Sequence, residues 1–405
     1  MLLPQSPLMT PFRSLAPRLE PDVGQSPTLV AVGRLREATA LRECTVDARL
    51  RFVEAQGADE LAALMGLRPP RAVAFSLDDP AAPRLCGMVR GDPSHAGVAL
   101  FAVAERADEE SFHRALSWGA NDVIARDALS RMLPVLAALH GVPAAPVISR
   151  GRAIVSHPES HRRAVLASSV AGAGYSVVTV SGPRSLRTAL GEAPAGLVVA
   201  GARDADDPAF EAMLHARAGG SLTPWVMSMP QGSLGKARAV VAGLPGVALH
   251  DSSTPPDGVL FLLNELASDR FRNVRSATRV LLASAVHLAA PGVDVSALTY
   301  NVSEGGLFVR TLTPVAIDTH VTVAMLAPGT RSPVRIEARV AWQRPFGPLS
   351  QAVCPPGIGL ALTGGDSSGD LARWQQACSS LARETGPAVE QDAGTLRPWP
   401  PSSKR

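Results

Sequence analysis

Tyr300-Asn-Val-Ser-Glu-Gly-Gly-Leu-Phe-Val-Arg-Thr311 decides the fold of the C-terminal third, together with Arg275-Ser-Ala-Thr-Arg279 upstream. The first stretch holds an N-x-S-x-x-G pattern, Asn301, Ser303 and Gly306, that runs into the strand-like Leu307-Phe308-Val309. The second holds an R-x-x-x-R pair directly before another apolar run, Val280 to Leu288. Each half has a plain reading. N-x-S forms Asx or Ser turns that cap strands, and arginine pairs are common in a chain whose only lysines are Lys236 and Lys404. The order of the elements is more specific. Val280–Leu288 reads as a strand, Ala290-Pro-Gly292 as a turn, and Val293–Tyr300 as a second strand with partial alternation. Val321–Met325, Val334–Trp342 and Gly357–Leu362 follow as further strands, and Asp370–Arg383 as a closing helix.

Both halves, in this order, resemble the signature of PilZ domains, small antiparallel β-barrels that bind cyclic di-GMP. The resemblance covers roughly residues 270–385. It implies a ligand site made of Arg275, Arg279, Asn301, Ser303 and Gly306. The chemistry suits such a ligand. An arginine fork pairs bidentately with phosphate oxygens or with guanine O6 and N7, and stacks on a base. Asn301 brings an amide that donates and accepts, Ser303 a hydroxyl that rotates, and Gly306 a backbone expected to turn with positive φ and approach closely. Trp342 reads as barrel core, with base stacking as the alternative.

The length of 405 residues accommodates several domains, and 46% hydrophobic with 19% charged residues marks a globular chain. A net charge of +3 gives no reason to expect a nucleic acid polymer as partner. Cys44, Cys86, Cys354 and Cys378 have no C-x-x-C spacing, so they read as buried thiols of a reducing compartment. With no signal-like start and no apolar span of membrane length, the expectation is a cytoplasmic protein without direct membrane insertion.

Residues 1–26 and 386–405, rich in Pro, Ser and Arg, read as disordered tails. Between 27 and 145, apolar runs at Thr28–Val32, Leu50–Glu54, Arg71–Phe75, Val98–Val103 and Gly119–Arg126 alternate with helical segments at Asp59–Leu67, Glu109–Trp118 and Leu129–His140. That alternation predicts a doubly wound parallel sheet covered on both faces. Gly119-Ala-Asn-Asp-Val-Ile124 resembles the approach to the last strand of response-regulator receivers. A flavodoxin-like receiver phosphorylates an aspartate after its third strand beside a metal-binding acidic pair. Here Gly33 and Arg34 stand after the first strand and Ser76 ends the third, so phosphorylation machinery is not expected; Asp78 and Asp79 are the alternative acceptors.

A second receiver-like unit, residues 150–268, repeats the pattern with Ser156 and His157 in place of the acidic pair and Gly201 at the acceptor position. His157, Glu159 and His161 straddle a loop and a helix start and read as ordinary first-turn residues rather than metal ligands. No Ser/His/Asp or Cys/His constellation has defensible spacing, so neither enzyme, metal nor cofactor is expected. The expected partners are cyclic di-GMP and a downstream signalling or motility protein, and the receiver-like units could pair copies of the chain. A ligand-independent adaptor is the alternative.

Overall fold

The computed structural model describes residues 28–33, 35–47, 50–67, 69–138, 149–268, 278–346, 354–365 and 369–385. The expected tails and Arg275 lie outside these residues.

The first unit alternates β1 (Thr28–Val32), α1 (Ala38–Asp47), β2 (Arg51–Ala55), α2 (Ala58–Leu67), β3 (Ala72–Ser76), α3 (Ala82–Gly91), β4 (Ala99–Ala104), α4 (Glu109–Ser117), β5 (Asp122–Ala125) and α5 (Met132–Ala138). Its strands are all parallel in the order β2-β1-β3-β4-β5. This is the flavodoxin-like doubly wound order. Every residue of β4, Ala-Leu-Phe-Ala-Val-Ala, is buried, as expected of a central parallel strand covered by helices on both faces. Asp108 caps α4 by accepting the Ser111 N–H at 3.0 Å, which fixes where that helix starts.

The second unit repeats the plan with β6 (Arg152–Ser156), α6 (Ser160–Gly172), β7 (Ser176–Val180), α7 (Pro183–Glu192), β8 (Leu197–Gly201), α8 (Pro208–Ala218), β9 (Trp225–Met229), α9 (Gln231–Val241), β10 (Val247–Asp251) and α10 (Gly258–Ser268). The order β7-β6-β8-β9-β10 is again parallel. The third unit is antiparallel: β11 (Val280–Leu281), β12 (Ala285–Ala290), β13 (Val293–Ser303), β14 (Gly306–Arg310), β15 (His320–Leu326), β16 (Pro333–Arg344) and β17 (Gly357–Gly365), then α11 (Asp370–Thr385). Pairing of β13 with β14 closes β13-β12-β15-β16-β17-β14 into a six-stranded barrel. Two doubly wound, flavodoxin-like units followed by a small barrel with a C-terminal helix make up the fold.

The barrel core is built from inward residues such as Val295, Ala297, Val302, Val309, Val340 and Leu360, with Trp374 of α11 inserted fully buried. The expected single strand Val280–Leu288 is in fact two. The chain leaves the ladder at Leu282–Ser284, where three residues stand opposite only Thr299 and Tyr300 of β13; against β14 on its other side, β13 carries one extra residue between Thr299 and Asn301. The Thr299 hydroxyl fills the gap by donating to Leu282 O at 2.6 Å and accepting the Ser284 N–H at 3.0 Å.

The three units touch pairwise. Gly87 of α3 lies against His161 of α6, where a Cβ would meet the His161 Cβ at 3.3 Å. The barrel meets the first unit where Asp122 Oδ2 accepts the Leu312 N–H at 2.7 Å, Glu109 Oε2 accepts the Ala285 N–H at 2.8 Å, and Arg131 pairs with Asp294 at 2.6 Å. The second unit reaches the barrel through Asp257, which directly precedes α10, and through Phe261, edge-on to Tyr300. No helix among the described residues is long and apolar enough to cross a membrane.

Candidate ligand-binding site

Strand alternation places Val295 and Ala297 inside the barrel, and an unbroken β13 would send Asn301 inside with them. The bulge at Thr299–Asn301 reverses the phase. Val302 then points into the core and Asn301 to the outer face, level with Leu281 on β11 and Phe308 on β14. The same cross-strand row continues through Gly359 on β17 to Trp342 on β16. Gly359 is required there. A Cβ would overlap the Trp342 indole, which lies across the glycine and stacks on Phe308 with centroids 4.9 Å apart and planes at 26°.

Asn301 is 7% exposed, and its amide makes no hydrogen bond among the described residues. The amide atoms are not sealed from solvent, so they are open to a partner from outside the chain. Ser303 sits in the turn that follows. Its hydroxyl donates to Gly306 O at 3.1 Å, while its carbonyl accepts the Trp374 indole N–H at 3.0 Å, so α11 clamps this turn. Gly306 does not have the expected positive φ; it is a glycine because a Cβ would run into the Leu360 carbonyl oxygen of β17. Arg279 is exposed directly before β11. Since Val280 pairs with Val302, the register carried one residue further sets Arg279 across from Ser303. Arg279, Asn301, Ser303 and Gly306 therefore share one end of the β11–β13–β14 face, with Arg275 outside the described residues.

Sequence reasoning missed the arginines and aromatics on the same face. Trp342 is not barrel core: 38% exposed, it offers one ring face outward while the other covers Gly359. Arg344, two residues on and therefore on the same side of β16, is half-buried, and its Nε has no hydrogen-bond partner among the described residues. Burial pulls the Arg344 pKa below its ordinary value, against the pull of nearby Cys354 and Tyr300. Burial likewise raises the Cys354 thiol, opposed by Arg344 and Arg279. The period-two spacing Trp342-x-Arg344 was the available signal.

Arg310, the last residue of β14, is 3% exposed. Its Nε and Nη2 donate to the two Asp257 oxygens at 3.1 and 2.7 Å, and Nη1 donates to Thr299 O at 2.8 Å. The guanidinium also lies over the Tyr300 ring, 4.7 Å from its centroid.

Side chains crowd the C-terminal ends of the two parallel sheets. In the first, Arg126 follows β5 and its guanidinium lies among Glu37 at 2.8 Å, Asp78 at 3.6 Å and Glu105. Asp79 is spent on the turn after β3, where it accepts the Ala81 N–H at 2.8 Å and stands over Gly33. In the second, the His157 ring occupies the space a side chain at Gly201 would need. Its Nδ1 accepts the Glu159 N–H at 3.1 Å, and burial holds its pKa below the usual value. His161 Nε2 lies 3.6 Å from Glu159 Oε2, and His157 caps the turn before α6.

No curated protein matches the chain. Among solved structures, it is similar to the Bacillus subtilis inhibitor of motility (MotI/DgrA), with 18% identity, 28% of this chain, 52% of that one and a TM-score of 0.23. It is also similar to the PilZ domain of CeSA from a cellulose-synthesizing bacterium, with 18% identity, 26% of this chain, 97% of that one and a TM-score of 0.20. An atypical orphan response regulator, described as working by a phosphorylation-independent mechanism, shares 14% identity over 27% of this chain and 94% of its own, with a TM-score of 0.24. The chain thus spans about half the length of the motility inhibitor. The family model of the PilZ domain matches residues 273–369, and the barrel that carries Asn301, Ser303 and Gly306 is a PilZ domain.

Proposed function

We propose that the chain is a non-catalytic signalling protein that binds cyclic di-GMP on the outer face of its barrel and passes the binding state to a downstream partner through its receiver-type units. The observation that carries this reading is Asn301, 7% exposed on that face, whose amide makes no hydrogen bond among the described residues. Asn301 would meet a guanine edge, Arg279 and Arg275 the phosphates, and the free face of Trp342 a base. Ser303 and Gly306 would shape the turn that presents them. The Arg126 ion pairs and the His157 ring at the ends of the two parallel sheets favour docking over phosphotransfer as the role of these units. The place of action in this reading is the cytoplasm.

Calorimetry with cyclic di-GMP, with GTP as competitor control, tests it. Saturable binding that GTP does not displace is expected, and Arg279→Ala should weaken it about 10- to 150-fold, the worth of a hydrogen bond to a charged group. At a hundredfold excess over Kd the ligand should stabilise the protein by about 2.7 kcal/mol. Absence of heat and of stabilisation would overturn the reading. A second reading, a ligand-independent adaptor for a signalling or motility protein, is favoured by one observation: Ser303 and Gly306 both serve the barrel's own packing, so two of the five signature residues have a use without ligand.

A further inference from the structure

The bulge that turns Asn301 outward is not held by the barrel alone. Three groups of Thr299 on β13 define it. The Thr299 hydroxyl and N–H bind the Leu282–Ser284 break, and the Thr299 carbonyl accepts Arg310 Nη1 at 2.8 Å. The bond to the carbonyl matters because a bulge leaves a backbone group without its ladder partner. Arg310 can make it only while the rest of its fork is satisfied, since the side chain is 4% exposed and has no water to turn to. What satisfies the fork is a residue of another unit: both oxygens of Asp257, the last residue before α10. Tyr300, the inserted residue, is sandwiched by the same groups. The Arg310 guanidinium lies on its ring, its hydroxyl is 3.4 Å from Asp257 O, and Phe261 of α10 meets it edge-on at 6.2 Å.

We infer that Arg310 is a positioning residue for the ligand site, and that Asp257 sets cyclic di-GMP affinity through it. This rests on the reading of the barrel face given above. With Asp257 in place, the fork holds Thr299 O, the bulge keeps its phase and Asn301 faces outward. When the second unit moves away, Arg310 loses its counter-charge, the bulge loses its bond to the Thr299 carbonyl and Asn301 is free to drift from the ligand-facing position. Reciprocity follows: ligand that fixes Asn301 tightens the Asp257–Arg310 contact by the same factor by which that contact tightens ligand. The second receiver-type unit is thereby a regulator of the site without touching the ligand.

The test is a double-mutant cycle in the full chain, with Asp257→Asn, Arg310→Met and both together, read by calorimetric titration of cyclic di-GMP and by amide exchange at Thr299, Tyr300 and Asn301 without ligand. Asp257→Asn is expected to weaken Kd about fivefold or more. In the Arg310→Met background the same change should alter Kd by less than about twofold, because residues acting in series do not add. Asp257→Asn should also speed exchange at the three bulge amides while leaving β4 unchanged. Equal Kd for wild type and Asp257→Asn, or effects that simply multiply, would overturn the inference. A wild type that binds no cyclic di-GMP would sink the ligand reading itself, and the exchange data would still decide the relay: unchanged bulge amides in Asp257→Asn would refute it.

Discussion

Replacing Asp122 with Asn should remove a pH dependence built into the contact between the first unit and the barrel. The Asp122 carboxyl, 6% exposed, accepts the Leu312 N–H at 2.7 Å and the Val123 N–H at 2.9 Å, with the Thr311 hydroxyl at 3.5 Å. Burial dominates these bonds and pushes its pKa from 3.8 up to about 6. A raised carboxyl pKa means that the closed interface holds its proton better than the opened one. The stabilisation is therefore complete below pH 3.8 and lost as pH rises through 6. The full span corresponds to about 3 kcal/mol, of which about 2 falls between pH 4.5 and 7.5. Leu312 reports this directly, because opening the interface frees its amide. After correction for intrinsic rates, its exchange protection should fall about 25-fold from pH 4.5 to 7.5 in the wild type and stay level in Asp122→Asn. Protection that is flat within threefold in the wild type, or that rises with pH, would refute the assignment of Asp122 as the titrating group.

His250 should behave in the opposite sense. Buried against the Ser228 hydroxyl at 3.0 Å, its pKa is lowered to about 4, chiefly by desolvation, so the second unit should lose about 3 kcal/mol as pH falls from 6.5 through 4. An imidazole carbon proton that titrates near 6.5 in the folded protein would contradict this. Gly306→Ala should destabilise the barrel by about 1–3 kcal/mol without any ligand, because the methyl meets the Leu360 carbonyl. Thermal melting within 0.5 °C of wild type would show that the strands part without strain.

The sheets were legible because fully buried parallel strands are short apolar runs, as in Ala99–Ala104 and Leu197–Gly201. The helices α3 and α9 were not. Ala-Pro-Arg-Leu-Cys-Gly-Met-Val-Arg-Gly and Gln-Gly-Ser-Leu-Gly-Lys-Ala-Arg-Ala-Val-Val carry internal glycines that lower helix propensity, and it is burial of Leu85, Cys86, Val89, Leu234 and Ala237 that holds them. Asn301, Ser303 and Gly306 were legible as a local pattern, but the physical role of Gly306 was not, since it depends on a carbonyl 54 residues later in the chain, that of Leu360. The bulge at Tyr300 was invisible as well. Val293–Ser303 alternates imperfectly, and only the closed barrel shows that the imperfection is one inserted residue. Arg310 and Asp257 lie 53 residues apart and in different units, so no spacing rule joins them.

The pairwise contacts among the units have a mechanical consequence. Three bodies that each touch the other two form a closed linkage, in which no joint turns alone. A rotation of the second unit about the barrel at Asp257 must be absorbed at the α3–α6 seam or at the Asp122–Leu312 contact, which joins residues 190 apart in sequence. A downstream protein need not contact the barrel to sense its state: any face that spans the seam between the two receiver-type units would read the angle set on the far side of the triangle.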